Sequence, residues 1–61
     1  MKRRDFIREL EQAGCYLKRH GGNHDIYINP HNGKKATVPR HPEIKETLCK
    51  LIRKQLEIEH S

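Results

Sequence analysis

The stretch CYLKRHGGNHDIYINPHNGKKATV, residues 15–38, decides the fold of this chain. Apolar and β-branched side chains alternate in it with polar ones, and clusters of turn residues interrupt it twice. The first cluster is Gly21-Gly22-Asn23, where we expect left-handed backbone angles, and the second is Asn29-Pro30-His31-Asn32-Gly33. The predicted strands are residues 15–20, 24–29 and 34–38. Because both connections are short, the three strands must form an antiparallel meander.

A helix is predicted before the strands, at about residues 4–13. The apolar residues that share one face of this helix are Phe6, Ile7, Leu10 and Ala13. Gly14 suits the position just after the helix end, because glycine adopts positive φ without penalty. The strand that follows is expected to be half-buried, with Cys15 and Leu17 on one face.

A second helix is predicted after the strands, at about residues 44–57. Its apolar stripe consists of Ile44, Leu48, Leu51, Ile52 and Leu56. Two starts remain open, since Pro42 suits a first helical position and Thr47 suits an N-cap. The order is therefore α-β-β-β-α, a single α+β domain of residues 1–61. Both helices pack on one face of the three-stranded antiparallel sheet and leave the other face open.

Size and composition exclude several classes of protein. A chain of 61 residues has room for one small core, so Rossmann and barrel architectures and large cofactor cavities are excluded. No apolar run approaches the roughly 20 residues that span a bilayer, and the N-terminus has no signal-peptide pattern. Cys15 and Cys49 match no zinc or redox spacing, which favours two free thiols in a reducing cytoplasm over a disulfide in a secreted peptide.

The charge of the chain favours a polyanionic ligand. The net charge is +5, and residues 1–40 carry all of this excess, with nine basic and four acidic side chains. A localised basic surface is typical of nucleic-acid binding, although a basic charge also serves solubility alone.

Residues 18–24, KRHGGNH, give the strongest indication of a functional site. Phosphate oxygens can be held by the cations Lys18 and Arg19 and by the backbone N–H groups of the glycine-rich turn, in which Asn23 also lies. His24, at the end of the turn, can accept or donate a proton. The alternative is a plain hairpin turn that the histidines only cap. Cations also lie at both ends of the third strand, with Lys34 and Lys35 at its start and Arg40 after it. They either reach the same turn or protect a sheet edge from aggregation.

Metal chemistry is not expected, and neither is a cofactor. A cluster of Cys15, His20, His24 and Cys49 is conceivable, but its spacing matches no zinc site.

The motifs together resemble a known family. They are Gly14, Arg19, Gly22-Asn23-His24, Asn29-Pro30, Gly33, Val38-Pro39-Arg40-His41 and the closing Leu/Ile helix, and they resemble the HicA toxins, also called YcfA-like. The resemblance covers about residues 4–56 and implies a double-stranded-RNA-binding-domain-like fold. It also implies an mRNA interferase of a type II toxin–antitoxin system, neutralised by a HicB antitoxin.

The resemblance places the family's functional histidine on His24. The preceding residue is usually Ser in the family and is Asn23 here, and the Gly-Thr before the last helix is Glu46-Thr47 here. Both departures bear on rate and RNA preference more than on activity, because His24 is retained.

We therefore expect a metal-independent endoribonuclease in which His24 acts as general acid/base on a ribose 2′-OH. The expected RNA-binding residues are Lys18, Arg19, Asn23, Lys34, Lys35 and Arg40. His20, His41 and Tyr27 are candidates for the proton donor. The expected partners are mRNA and an acidic HicB-type antitoxin that forms a hetero-oligomer with a toxin that is monomeric when free. Two alternatives remain open: a non-catalytic RNA-binding module of the same fold and a domain that binds only protein.

Overall fold

The computed structural model describes residues 1–58, so the last three residues of the predicted 1–61 domain lie outside the described part. The elements follow in the order α1 (Arg3–Gln12), β1 (Tyr16–His20), β2 (His24–Asn29), β3 (Lys34–Pro39) and α2 (Glu46–Leu56). The strands form one antiparallel sheet in the order β1-β2-β3. This confirms the predicted α+β fold, in which the three strands of the meander come between the two helices in the sequence.

Gly14 closes α1 in the way that its position predicts. Its φ is +93°, and its N–H donates to the carbonyl of Glu11 at 3.0 Å. The next N–H, that of Cys15, donates to the carbonyl of Leu10 at 2.9 Å, which completes a Schellman motif. Leu10 and Cys15 are both buried, so the end of α1 directs the chain into the sheet with two core side chains in place.

Both predicted starts of α2 are wrong. The helix begins at Glu46, later than Pro42 allows and earlier than an N-cap at Thr47 would place it. The segment before it cannot be helical, because residues 42–44 pair in extended form with the first residues of the chain. Two backbone hydrogen bonds of 2.8 Å hold that pairing, one accepted by Pro42 and one donated by Ile44.

The buried stripe of α2 differs from the predicted one at Leu51, whereas Ile44, Ile52 and Leu56 are buried and Leu48 packs against the core as predicted. Cys49, Ile52 and Leu56 are the buried residues of the helix, whereas Leu51 is 49% exposed. The spacing of these three residues is as compatible with one helical face as the predicted spacing. Which face meets the sheet depends on how the helix is seated, and the sequence pattern alone does not determine this.

One core lies between the sheet and the two helices. It contains Phe6 and Leu10 from α1, Tyr27 from β2, Ala36 and Val38 from β3, Cys49, Ile52 and Leu56 from α2, and Cys15 and Ile44 from the connections. Both cysteines are free thiols, and burial raises their pKa. Strand β1 contributes no buried residue to this core, so the expectation that Leu17 is buried with Cys15 is wrong.

Candidate nucleic-acid interface

The sheet has a helix-covered face and an open face. Residues directly opposite each other on antiparallel strands point to the same face, so the register assigns each side chain. The pairs Asp25↔Val38 and Tyr27↔Ala36 lie beneath the helices, and the alternate positions point away from them. The open face consists of Tyr16, Arg19, His24, Ile26, Ile28, Lys35, Thr37 and Pro39.

His24 is the first residue of β2 and lies at one end of the open face. Its side chain is exposed. Among residues 1–58 its imidazole has no hydrogen-bond partner. An imidazole in this position can contact a ligand and exchange a proton with it.

The turn that presents His24 differs from the expected one. Neither Gly21, Gly22 nor Asn23 adopts the left-handed conformation. The glycine requirement arises instead from close packing at Gly21, where an added Cβ would lie 2.9 Å from the carbonyl oxygen of His24. The N–H of Gly21 donates to that same oxygen at 2.7 Å, which closes the hairpin directly at His24.

A β-bulge in β1 brings Arg19 to the open face. The register shifts between Leu17, opposite Tyr27, and Arg19, opposite Ile26, so Lys18 lies in the bulge. Without the bulge, strict alternation would place Arg19 on the helix-covered side with Leu17. With the bulge, Arg19 lies opposite Ile26. Ile26 is two residues from His24 in β2, which corresponds to about 7 Å along the strand.

Arg40 lies beside the turn. It follows β3 directly, and its Nη2 donates to the carbonyl oxygen of Gly21 at 2.9 Å. Arg40, His41, Gly22 and Asn23 line an open cleft of about 430 Å³ at this end of the sheet. The structure therefore places both Asn23 and Arg40 at the turn that carries His24. For Arg40, the sequence left this position undecided.

The two lysines of β3 lie elsewhere. Lys35 is on the open face opposite Ile28, about 13 Å along the strand from His24. Lys34 lies opposite Asn29 on the other face, and its Nζ is 3.7 Å from a carboxylate oxygen of Glu57. Lys34 is thus separated from the His24 end of the sheet, whereas Lys35 shares its face.

The three candidate proton donors occupy different environments. Tyr27 is buried beneath the helices, on the face opposite to His24, so it is a core residue. His41 is exposed and lines the cleft beside the turn. His20 ends β1, and its Nδ1 lies 2.9 Å from Oδ1 of Asp25.

Asp25 has no role in the sequence-based prediction, although it directly follows His24 and is the only carboxylate between Glu11 and Glu43. Its side chain is buried and accepts hydrogen bonds from Arg3 (2.8 Å), His20 (2.9 Å) and Arg40 (2.9 Å). The bonds from His20 and then Arg40 lower the pKa of Asp25 to about 2. The signal that could have identified it is its isolation as a negative charge in a basic segment.

No three His, Cys, Asp or Glu side chains within residues 1–58 are grouped so that they could hold a metal ion. In the same part of the chain, no helix is long and apolar enough to cross a membrane.

Comparison with known proteins links this chain to one family. Residues 3–58 match the family model described as the HicA toxin of bacterial toxin–antitoxin systems. The chain is 47% identical over 58 residues to the probable mRNA interferase HicA 2 of Photorhabdus laumondii subsp. laumondii, and the match covers 90% of this chain and 93% of that protein.

A solved structure shares the fold. The chain is similar to a chain of the crystal structure of the E. coli HicAB toxin–antitoxin complex, with a TM-score of 0.75 and 40% sequence identity. The match covers 90% of this chain and 95% of that chain.

Proposed function

Because the chain belongs to the HicA toxin family, we propose that it is the toxin of a toxin–antitoxin system and cleaves mRNA with His24 as its general base. A HicB-type antitoxin is the proposed protein partner. The names of the similar proteins, an mRNA interferase and a HicAB complex, support both parts. The observation that carries the proposal is the position of His24: an exposed imidazole without a partner in residues 1–58, at the end of an open face that also holds Arg19.

The proposed reaction is transesterification within the RNA. His24 takes the proton of a ribose 2′-OH, and the 2′-oxygen attacks the adjacent phosphorus. The bond from phosphorus to the 5′-oxygen breaks, and that oxygen takes a proton from His20, His41 or solvent. The products are a 2′,3′-cyclic phosphate and a free 5′-OH. No step needs a metal ion, and DNA cannot react because it lacks the 2′-OH.

Cations near His24 have two proposed tasks. Arg19, on the open face, and Arg40, beside the turn, stabilise the negative charge that develops on the phosphoryl oxygens. Lys18 in the bulge and Lys35 farther along the open face bind other phosphates of the same RNA. Asn23 offers an amide to the RNA within the cleft. Lys34 lies on the helix-covered side beside Glu57, so its contribution is the weakest of the set.

His24→Ala tests the proposal. We expect cleavage of an in vitro transcript to fall by about 10²–10⁴-fold, since one proton-transfer residue typically contributes that much. The affinity for RNA should change little, because the cations remain. His31→Ala is the matched control: His31 is an exposed histidine in the turn between β2 and β3, and its removal should leave cleavage unchanged.

The products and the metal requirement complete the test. Cleavage should continue in excess EDTA, leave a 2′,3′-cyclic phosphate, and stop when a 2′-deoxy nucleotide replaces the one at the cut site. A strict requirement for an added divalent ion in the chemical step would overturn the mechanism. If the chain binds RNA but shows no cleavage that depends on His24, it is instead a non-catalytic RNA-binding module of the same fold.

A further inference from the structure

Asp25 joins the ends of three different elements. Arg3 belongs to the first turn of α1, His20 ends β1, and Arg40 follows β3, and all three side chains converge on this one carboxylate. The side chain of Asp25 is 9% exposed, while those of Arg40 and His20 are 43% and 69% exposed. The carboxylate is therefore a buried anchor whose partners extend towards solvent at the His24 end of the sheet.

A short chain of contacts links this anchor to His24. Nε of Arg40 donates to Oδ1 of Asp25, while Nη2 of the same guanidinium donates to the carbonyl oxygen of Gly21 at 2.9 Å. The N–H of Gly21 in turn donates to the carbonyl of His24 at 2.7 Å. One planar guanidinium thus connects the carboxylate to the turn residue that closes the hairpin at His24.

The same carboxylate determines which nitrogen of His20 carries a proton. An ionised carboxylate can only accept hydrogen bonds, so the contact between Oδ1 of Asp25 and Nδ1 of His20 requires a proton on Nδ1. Nη2 of Arg40 lies 3.3 Å from that nitrogen, so two hydrogen-bond donors face each other there. Their repulsion is offset because both side chains also bind the carboxylate of Asp25. Nε2 of His20 remains as the atom available to a ligand.

We propose that Asp25 is a positioning residue of the nuclease site: through Arg40 and Gly21 it fixes the end of the hairpin that carries His24, and it orients the His20 imidazole. This inference rests on the proposed function. It assigns Asp25 no contact with RNA, because its side chain lies on the helix-covered face, opposite to that of His24. Its loss should therefore slow the reaction without weakening RNA binding.

Asp25→Asn keeps the shape of the side chain and removes its charge. We expect kcat for transcript cleavage to fall by about 10–100-fold, as a misplacement of about 1 Å in an active site can cost. KM should change less than threefold, since Arg19 and Lys35 are untouched and Arg40 keeps its charge. Glu11→Gln is the matched control, because it removes one exposed carboxylate from α1 and should leave both constants unchanged.

Arg40→Lys provides a second variant if Asp25→Asn fails to fold. Lysine keeps the positive charge but cannot hold Asp25 and the Gly21 carbonyl with one planar group. We expect a similar fall in kcat at an unchanged KM. In the double variant, the fall in kcat should be smaller than the product of the two single falls, because both changes break the same contacts between Asp25, Arg40 and Gly21. Independent, multiplicative losses in kcat would overturn the proposal.

A third measurement does not depend on activity. In Asp25→Asn the amide of Gly21 should exchange with solvent at least tenfold faster than in the wild type, at a temperature well below the melting temperature of the variant. Unchanged exchange of Gly21 together with a wild-type kcat would overturn the proposal, even if His24→Ala is inactive and the proposed function holds. If the wild type shows no His24-dependent cleavage, the proposed function fails, and the Gly21 exchange alone decides whether Asp25 positions the hairpin.

Discussion

At the scale of single residues, two adjacent glycines in the turn before His24 should behave differently. A Cβ at Gly21 would lie 2.9 Å from the backbone oxygen of His24, whereas a Cβ at Gly22 would meet no atom within 4 Å. Gly21→Ala must therefore displace the hairpin backbone, and we expect a loss of about 1–3 kcal/mol in the free energy of unfolding. Gly22→Ala should leave stability unchanged or slightly higher, because it only restricts the unfolded chain.

Thermal melting followed by circular dichroism measures both glycine variants. A loss of 1 kcal/mol corresponds to a fall of roughly 4–8 °C in the melting temperature of a domain of this size. Equal melting temperatures for Gly21→Ala and Gly22→Ala would show that the turn accommodates a side chain at both positions, and the close-packing argument would then be wrong.

At the scale of the elements, the end of α2 contains a correctable strain. Glu57 follows the helix with φ of 56° and ψ of 44°, a left-handed conformation that favours glycine. Its N–H and that of Ile58 donate to the carbonyls of Lys54 and Arg53, so the strained conformation satisfies the helix end. Glu57→Gly should keep these bonds, relieve the strain and raise the free energy of unfolding by about 0.5–1 kcal/mol.

Glu57→Ala is the control for this change. It also removes the side chain and its exposed contact with Lys34, but it retains the Cβ that makes the conformation costly. The glycine variant should melt several degrees above the alanine variant in the same buffer. If alanine proves as stable as glycine, the left-handed residue does not limit the stability of α2.

At the scale of the whole molecule, charge should govern association with the antitoxin. The excess of +5 lies in residues 1–40, and the structure places the cations of this segment in different surroundings. Arg3 and Arg40 are paired with Asp25, while Arg19 and Lys35 are exposed on the open face with His24. An acidic antitoxin that masks His24 should therefore be steered by the open face, and its association rate should fall as salt rises.

Arg19→Glu tests this steering. We expect association with the HicB-type antitoxin to slow by about tenfold at low salt and to lose much of its salt dependence. Lys50→Glu makes the same change in charge on the exposed side of α2 and should have a smaller effect. Arg40 is unsuitable for this test, because reversing its charge would also place a second carboxylate beside Asp25. An association rate that is indifferent to Arg19 would locate the antitoxin on another surface.

The sequence by itself determined the order of elements and identified His24 as the candidate reactive residue. Both depend on local rules: residues 15–38 alternate and turn like three strands, and Gly14 ends a helix because of its own φ. His24 was identifiable because it stands at a turn, next to cations, in a motif that resembles one family. Such signals are contained within a few neighbouring residues, so they can be recognised without knowledge of the fold.

Only the tertiary structure decided which side chains join His24. The bulge at Lys18 turned Arg19 onto the open face, although strict alternation predicts the other face. The antiparallel register placed Arg40 beside the turn and left Lys34 at the far end of the sheet. The contacts that suggest a role for Asp25 exist only because three elements converge on it. Register and convergence are set by contacts between residues far apart in sequence, and no local pattern encodes which of those contacts form.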